Sequence, residues 1–279
     1  MKNSDLRPRV KVSLADLSKM MKAHVDDVMS RPFNPVKSDR DKFCCMSYWY
    51  PKILKNNVRT PKTTLIQLDF KQSFDLFKFI EGETTEISTQ LFKDIYVAIK
   101  DLDGFRCFLR TGQTSGKHSW NHACNLFIGN SSDRIAEHVG ALVDFSGCVD
   151  LPVDVWAVRE MLTTRPLFFA FDGMPIVRER RYFVMDGKVE EHFPYWPQHS
   201  IEGQVVPYQP VDWKKVLAQD NKQSREEVKL LTKLSEEATR DIEGYWSIDW
   251  LYTVDGWYCT DMALGAASYH YGKDPKNKG

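Results

Sequence analysis

The sequence predicts an α+β fold. Three observations carry that expectation: apolar strand runs are interrupted irregularly by helical periods, Asp-Gly hairpin signals recur in the second half, and no regular βαβ rhythm appears. The hairpin signals are Asp172-Gly173, Asp186-Gly187 and Asp255-Gly256, each between apolar runs.

Ser13 is placed to cap a helix running to about Ser30, because Leu14, Leu17, Met20, Met21, Val25 and Val28 recur at helical spacing. A polar Pro/Asn connector over 31–42 and the aromatic segment FCCMSYWYP follow. Next come a strand over 63–70 (TTLIQLDF), short helical periods over 73–80 and 88–100, and a strand over 106–111 (RCFLRT). After a polar Gly/Ser/His loop, a helix is expected over 131–144, a strand over 153–162 and three strands over 166–194. The charged region 211–242 reads as two helices whose Lys/Glu alternation marks a solvated face. A hairpin over 245–263 precedes the tail KDPKNKG, expected to be disordered. The organisation is thus a lobe over 1–105, a region over 106–272 that carries the candidate site, and a tail over 273–279.

Lys plus Arg number 38 and Asp plus Glu 38 in the 279 residues, so no global field points to nucleic acid or an anionic membrane. The six cysteines form no C-x-x-C pair, and Cys107 and Cys259 fall in apolar strands where a free thiol acts as a small hydrophobe. That pattern favours a reducing compartment. The N-terminus carries no apolar run like a signal peptide, and the longest uncharged apolar stretch, 166–171, is too short to span a bilayer. A soluble cytoplasmic protein is expected, with no membrane and no general nucleic-acid partner.

The segment YWSIDWLYTVDGWYCTDMA at 245–263 places Asp249 and Asp261 one on each strand of an otherwise apolar hairpin. A three-residue loop of Val254, Asp255 and Gly256 sets the two aspartates opposite each other; a two-residue Asp255-Gly256 turn sets Asp249 opposite Met262 and parts them. Facing carboxylates repel unless a cation lies between them. Two oxygen ligands suit Mg²⁺, which takes its remaining ligands from water and phosphates. An ordinary hairpin with one solvent-facing Asp per strand is the competing reading.

The loop RTGQTSGKHSW at 110–120 fails the phosphate-loop pattern, since three residues rather than four separate its glycines and His118 follows Lys117. It still offers Arg110, Ser115 and Lys117 around small residues, a set that can clamp a polyphosphate, or it is a bland flexible loop. His118 and His122 are four apart, but no further ligand stands near them, so a metal role is not expected. Along 175–189, alternation puts Glu179, Arg181 and Phe183 on one face and Arg178, Arg180 and Tyr182 on the other. Charges on both faces require ion pairs or a ligand, with Arg181 the candidate for the ligand face. In the strand over 153–162, Val158-Arg159-Glu160-Met161 offers apolar backbone suited to an adenine ring, or is simply a core strand.

Taken together, these segments resemble the ATP-grasp fold, and within it the family of cell division cycle protein 123 and short phage and bacterial ATP-grasp ligases. The resemblance runs from about residue 47 to 265. Its carriers are SYWYP at 47–51, Phe108-Leu109-Arg110, Ser115-Gly116-Lys117, Ala157-Val158-Arg159-Glu160, Glu179-Arg180-Arg181-Tyr182-Phe183-Val184, Ile248-Asp249-Trp250 and Thr260-Asp261-Met262. It implies two α+β lobes whose antiparallel sheets enclose a nucleotide cleft. ATP would lie with its adenine along Val158, Arg159, Glu160 and Met161, and its phosphates on Arg110, Ser115, Lys117 and Arg181. Arg181 and Lys117 would take the catalytic roles and Asp249 and Asp261 would bind Mg²⁺. The implied activity is an ATP- and Mg²⁺-dependent ligase joining a carboxylate to an amine through an acyl-phosphate. The alternative is an ATP-binding assembly chaperone for a partner such as a translation initiation factor, with little turnover, for which Tyr48, Trp49, Trp196 and Trp213 are interface candidates. Three departures stand out. Ala263 replaces an asparagine of the metal pattern, Arg110 replaces a lysine, and the acidic insertion of eukaryotic members is absent.

Overall fold

A computed structural model describes residues 37–102, 106–128, 133–207 and 211–277; the helix expected over 13–30 lies outside them. Ser38 caps α1 (Asp39–Phe43) through a reciprocal pair in which its side chain and that of Asp41 each bond the other's backbone N–H. The connector expected over 31–42 therefore ends in a helix. The W-Y-P segment lies in α2 (Met46–Lys55), with Pro51 inside it. Proline in mid-helix argues against a helix in sequence. Burial of Met46, Trp49, Tyr50 and Ile53 along one stripe overrides it.

The first sheet holds β1 (Thr63–Gln67), β2 (Arg106–Thr111), β3 (Asn125–Phe127) and β4 (Val155–Arg159) in the order β1-β4-β2-β3, every pairing antiparallel. The helices α3 (Asp75–Ile80), α4 (Glu86–Leu102) and α5 (Asp133–Cys148) belong to the same lobe. Leu91, Ile95 and Ile99 of α4 and Val139, Leu142 and Val143 of α5 form one buried cluster with Leu109 and Val158. Each such side chain contributes about 1.5–3 kcal/mol on leaving water. That face of the sheet is closed, and alternation turns Phe108, Arg110 and Arg159 to the other side.

Over 166–194 the chain makes four strands rather than three. The first hairpin is β5 (Phe168–Ala170) with β6 (Met174–Ile176), and the run expected as one strand over 175–189 breaks before β7 (Glu179–Met185) and β8 (Lys188–Pro194). Then come α6 (Gln198–Ile201), α7 (Trp213–Asp220), α8 (Arg225–Ala238), β9 (Tyr245–Thr253) and β10 (Gly256–Leu264). The second sheet runs β10-β9-β7-β8, again antiparallel throughout. Its back presents Tyr182, Val184, Ile248 and Trp250 to Leu231 and Ala238 of α8 and to Trp49 of α2. On that same back, fully buried Arg180 donates from Nε to Glu227 at 2.6 Å and from Nη1 to Asp220 at 3.3 Å. This satisfies the charged residue on one face of β7 and leaves Arg181 to the other.

The closing segment, expected to lack structure, forms 3-10 turns at Tyr271–Lys273 and Pro275–Asn277, with Asn277 Nδ2 donating to the Tyr271 carbonyl at 3.0 Å. All six cysteines are free, and Cys107 and Cys259 are fully buried. No helix among the described residues is long and apolar enough to cross a membrane.

Candidate functional site

Neither loop expected for the last hairpin forms. Thr253 pairs with Gly256 across a two-residue turn of Val254 and Asp255, and this register continues to Cys259 opposite Trp250. There the pairing shifts, Thr260 becomes the extra residue, and Asp261 pairs with Asp249. Without that bulge Thr260 would oppose Asp249, and Asp261 would turn with Ile248 toward the core. The facing aspartates are present, and a bulge rather than the loop places them.

Strand β7 pairs Arg181 with Asp249, so Arg181, Asp249 and Asp261 stand in a row across three strands. Arg181 grips Asp249 with both prongs, Nε to Oδ1 at 2.7 Å and Nη2 to Oδ2 at 2.8 Å. This is the bidentate geometry a guanidinium favours. Burial works against the Arg181 charge, but the Asp249 carboxylate outweighs it and the net shift of its pKa is upward.

Arg110 comes from β2 of the other sheet and reaches Asp261 Oδ1 from Nη1 at 3.0 Å. After β2 the chain needs two glycines. A Cβ on Gly112 would meet Cys45 Sγ at 2.4 Å, and Gly116 takes φ +56° at the head of the turn carrying Lys117. Lys117 Nζ then lies 3.6 Å from Glu179 Oε2 and over the Tyr195 and Trp196 rings, 4.0 and 4.7 Å from their centroids. Trp196 Nε1 donates to Glu179 Oε1 at 2.9 Å. Burial pulls the Lys117 pKa down, yet Glu179 and Tyr195 prevail and raise it; burial also raises that of Glu179 against the opposing pull of Lys117.

Arg159, at the end of β4, is 3 % exposed. Its Nε donates to Thr63 Oγ1 at 3.1 Å and its Nη1 to the Thr260 carbonyl at 2.6 Å, while no protein group bonds Nη2. Burial first, and the neighbouring Arg110 guanidinium second, bring its pKa down to about 10.

These groups line one cavity, whose walls divide by chemistry. Phe108, Trp120, Met161, Leu162, Met174 and Val177 supply apolar surface, and Arg110, Lys117, Arg159, Glu179, Asp249 and Asp261 supply charge. Ser115 and Glu160 line it as well. Arg181 joins through its grip on Asp249. Val158 does not join: its side chain lies in the cluster under α4 and α5, and β4 is held between β1 and β2. The strand expected over 153–162 stops at Arg159, which leaves Glu160–Leu162 rather than Val158 as the connection beside the cavity. The His118 ring stacks on that of Phe171, with centroids 4.3 Å apart. Trp49 and Trp196, candidates for an interface, are buried.

Tyr195, Trp196 and Thr260 were not legible as site residues. The first two lie just beyond the end of β8, and the third owes its place to the bulge. Glu179 was legible as a neighbour of Arg181 by alternation, but it pairs with Lys117. Among the described residues no group of three or more His, Cys, Asp or Glu forms a ready metal centre. Two carboxylates of this kind fit Mg²⁺, which keeps waters and leans on substrate phosphates, better than a metal needing a full protein cage.

The architecture is similar to that of C-terminally truncated Cdc123 from Schizosaccharomyces pombe, at 13% identity and a TM-score of 0.53, covering 86% of this chain and 89% of that one. The fold is that of Cdc123. A second structure of Cdc123 from the same organism matches at 14% identity and a TM-score of 0.51, with coverage of 86% and 89%. A RimK domain ATP-grasp protein from Sphaerobacter thermophilus matches at 11% identity and a TM-score of 0.43, covering 80% of this chain and 58% of that one. No protein-family model and no curated protein matches the sequence.

Proposed function

We propose that this chain is an ATP-grasp protein that binds ATP with Mg²⁺ and uses it to join a carboxylate to an amine. One observation carries the reading: three cations suited to phosphate are each paired with a carboxylate in or beside one cavity. The pairs are Arg181 with Asp249, Arg110 with Asp261 and Lys117 with Glu179. Separating a buried pair by taking one partner leaves an uncompensated charge and costs about 3–5 kcal/mol. A polyphosphate carrying its own divalent cation avoids that cost, because phosphates replace the carboxylates on the cations while the metal takes the carboxylates.

The base would rest on the apolar wall beside Met161 and Leu162. Arg110, Ser115, Lys117 and Arg181 would hold the phosphates, and Asp249 and Asp261 the metal. When bound, Mg²⁺ supplies neutralisation of the charge on the transferred phosphoryl group. Arg181 and Lys117 add fixed positive charge at the same place, already oriented by their carboxylate and aromatic neighbours. A carboxylate oxygen then bonds the γ-phosphorus as ADP leaves, and an amine displaces phosphate from the acyl carbon and gives up a proton. No protein nucleophile is needed. Ala263, paired with Ser247 where the family pattern has an oxygen ligand, offers no side-chain oxygen, so a second metal would be weaker or held by another group. Six free cysteines suit a cytoplasmic setting.

The test is release of ADP and phosphate from ATP and Mg²⁺ across a panel of amino acids and polyamines. Release that depends on a carboxylate and an amine together supports the ligase. Tight ATP binding without turnover on any pair, with a protein partner co-purifying, supports the assembly chaperone instead.

A further inference from the structure

We infer that the Arg159 side chain is a ligand-binding group, and that its free Nη2 receives an oxygen of the phosphate nearest the nucleoside. The inference rests on the ATP reading and adds a residue whose expected part was its backbone.

The first observation is an orphan charge. Arg159 is almost fully buried, and its protein partners are a threonine hydroxyl and a peptide carbonyl, both neutral. Among the described residues, Arg110, Arg178, Arg180 and Arg181 each hold a carboxylate, and Arg159 holds none. A buried guanidinium with a spare donor is costly unless an anion reaches it.

The second observation is position. Arg159 shares a sheet face with Phe108 and Thr63, its cross-strand partners, and lies in the cavity wall. Its chain neighbours Glu160 and Met161 border the apolar wall, and its Nη1 anchors on the carbonyl of Thr260, the bulge residue before Asp261. It therefore stands where the apolar surface meets the charged surface. A nucleotide with its base on the former brings its innermost phosphate to that junction.

The experiment measures binding of ATP, ADP, AMP and adenosine with Mg²⁺ to the full chain, to Arg159→Met and to Arg159→Lys, with the melting temperature of each protein taken alone. A charged hydrogen bond corresponds to about 10- to 100-fold in affinity. Arg159→Met should lose that factor equally for ATP, ADP and AMP, keep adenosine, and melt no lower than the parent by more than a few degrees; Arg159→Lys should recover part of the loss. Unchanged nucleotide affinity in Arg159→Met overturns the inference, as does a loss confined to ATP or one shared by adenosine. Should Arg159→Met fail to fold, Arg159→Lys decides alone: wild-type affinity for all three nucleotides overturns the inference, and an equal loss for all three upholds it. A parent protein that binds none of the four removes the ATP reading and this inference together.

Discussion

Asp249 and Asp261 face one another yet differ in exposure. The Asp249 side chain is 8% exposed and Asp261 is 39% exposed. Replacing Asp249 with Asn strips the bidentate partner from a largely buried Arg181, at a cost of about 3–5 kcal/mol. Replacing Asp261 with Asn also strips a buried Arg110 of its carboxylate, but at a position that solvent reaches, and should cost less, about 1–3 kcal/mol. Chemical denaturation without added nucleotide should rank Asp249→Asn as clearly the less stable. Equal losses would mean that the two ion pairs are equivalent. Both variants should lose most of the rise in melting temperature that ATP and Mg²⁺ give the parent. At this scale the residue types were legible, because two aspartates in an apolar hairpin and an arginine on an alternating strand are visible as anomalies. The orphan Nη2 of Arg159 was not, since it depends on burial and on partners far apart in sequence.

Elements place these residues, and their exact ends were the least legible feature. The strand signals for β2, β4 and the last hairpin were sound because each is an apolar run bounded by turn residues. The bulge at Thr260 left no mark in the sequence, since two-residue and three-residue loops are both compatible with Val254-Asp255-Gly256. Strand β3 is three residues long, too short for a period to be seen. The helical state of the W-Y-P segment was hidden by Pro51. Gly112 supplies a test of how the loop bearing Ser115 and Lys117 is held. A methyl group there would meet Cys45 Sγ at 2.4 Å and Val155 Cβ at 2.8 Å, in a tight joint where the Gly112 carbonyl also accepts the Met46 N–H at 2.8 Å. Gly112→Ala should lower stability by about 1–3 kcal/mol through overpacking. It should weaken ATP binding more than Gly82→Ala, which carries the strain of a φ of +93° but has nothing within 4 Å of the added methyl. Equal behaviour of the two variants would show that the joint does not position the loop.

For the whole molecule, the α+β class followed from strand and helix order and the two antiparallel lobes from the family resemblance, whereas the burial that separates site from core required the three-dimensional packing. That packing also sets a pH response. His118 and His138 both have pKa values below the ordinary 6.5, His118 by burial and the Lys117 charge, His138 by burial against the opposing bond to the Ala123 carbonyl. The unfolded chain therefore binds more protons than the folded one in mild acid. The stability from these neutral rings is complete above the unfolded pKa and drains as pH falls through the folded values. The melting temperature should fall from about pH 7 to pH 5, and less so in a His118→Phe, His138→Gln variant. An identical slope in parent and variant would assign the acid sensitivity to other groups.

The exchange of three internal ion pairs for a metal-bearing polyphosphate is tested most directly by calorimetric titration of a non-hydrolysable ATP analogue, with Mg²⁺ and then with a chelator. With Mg²⁺ the analogue should bind, and chelation should weaken it by about 100-fold, since the carboxylates would lose their arginines and lysine with nothing in return. Equal affinity under the two conditions, or no binding under either, would contradict the exchange.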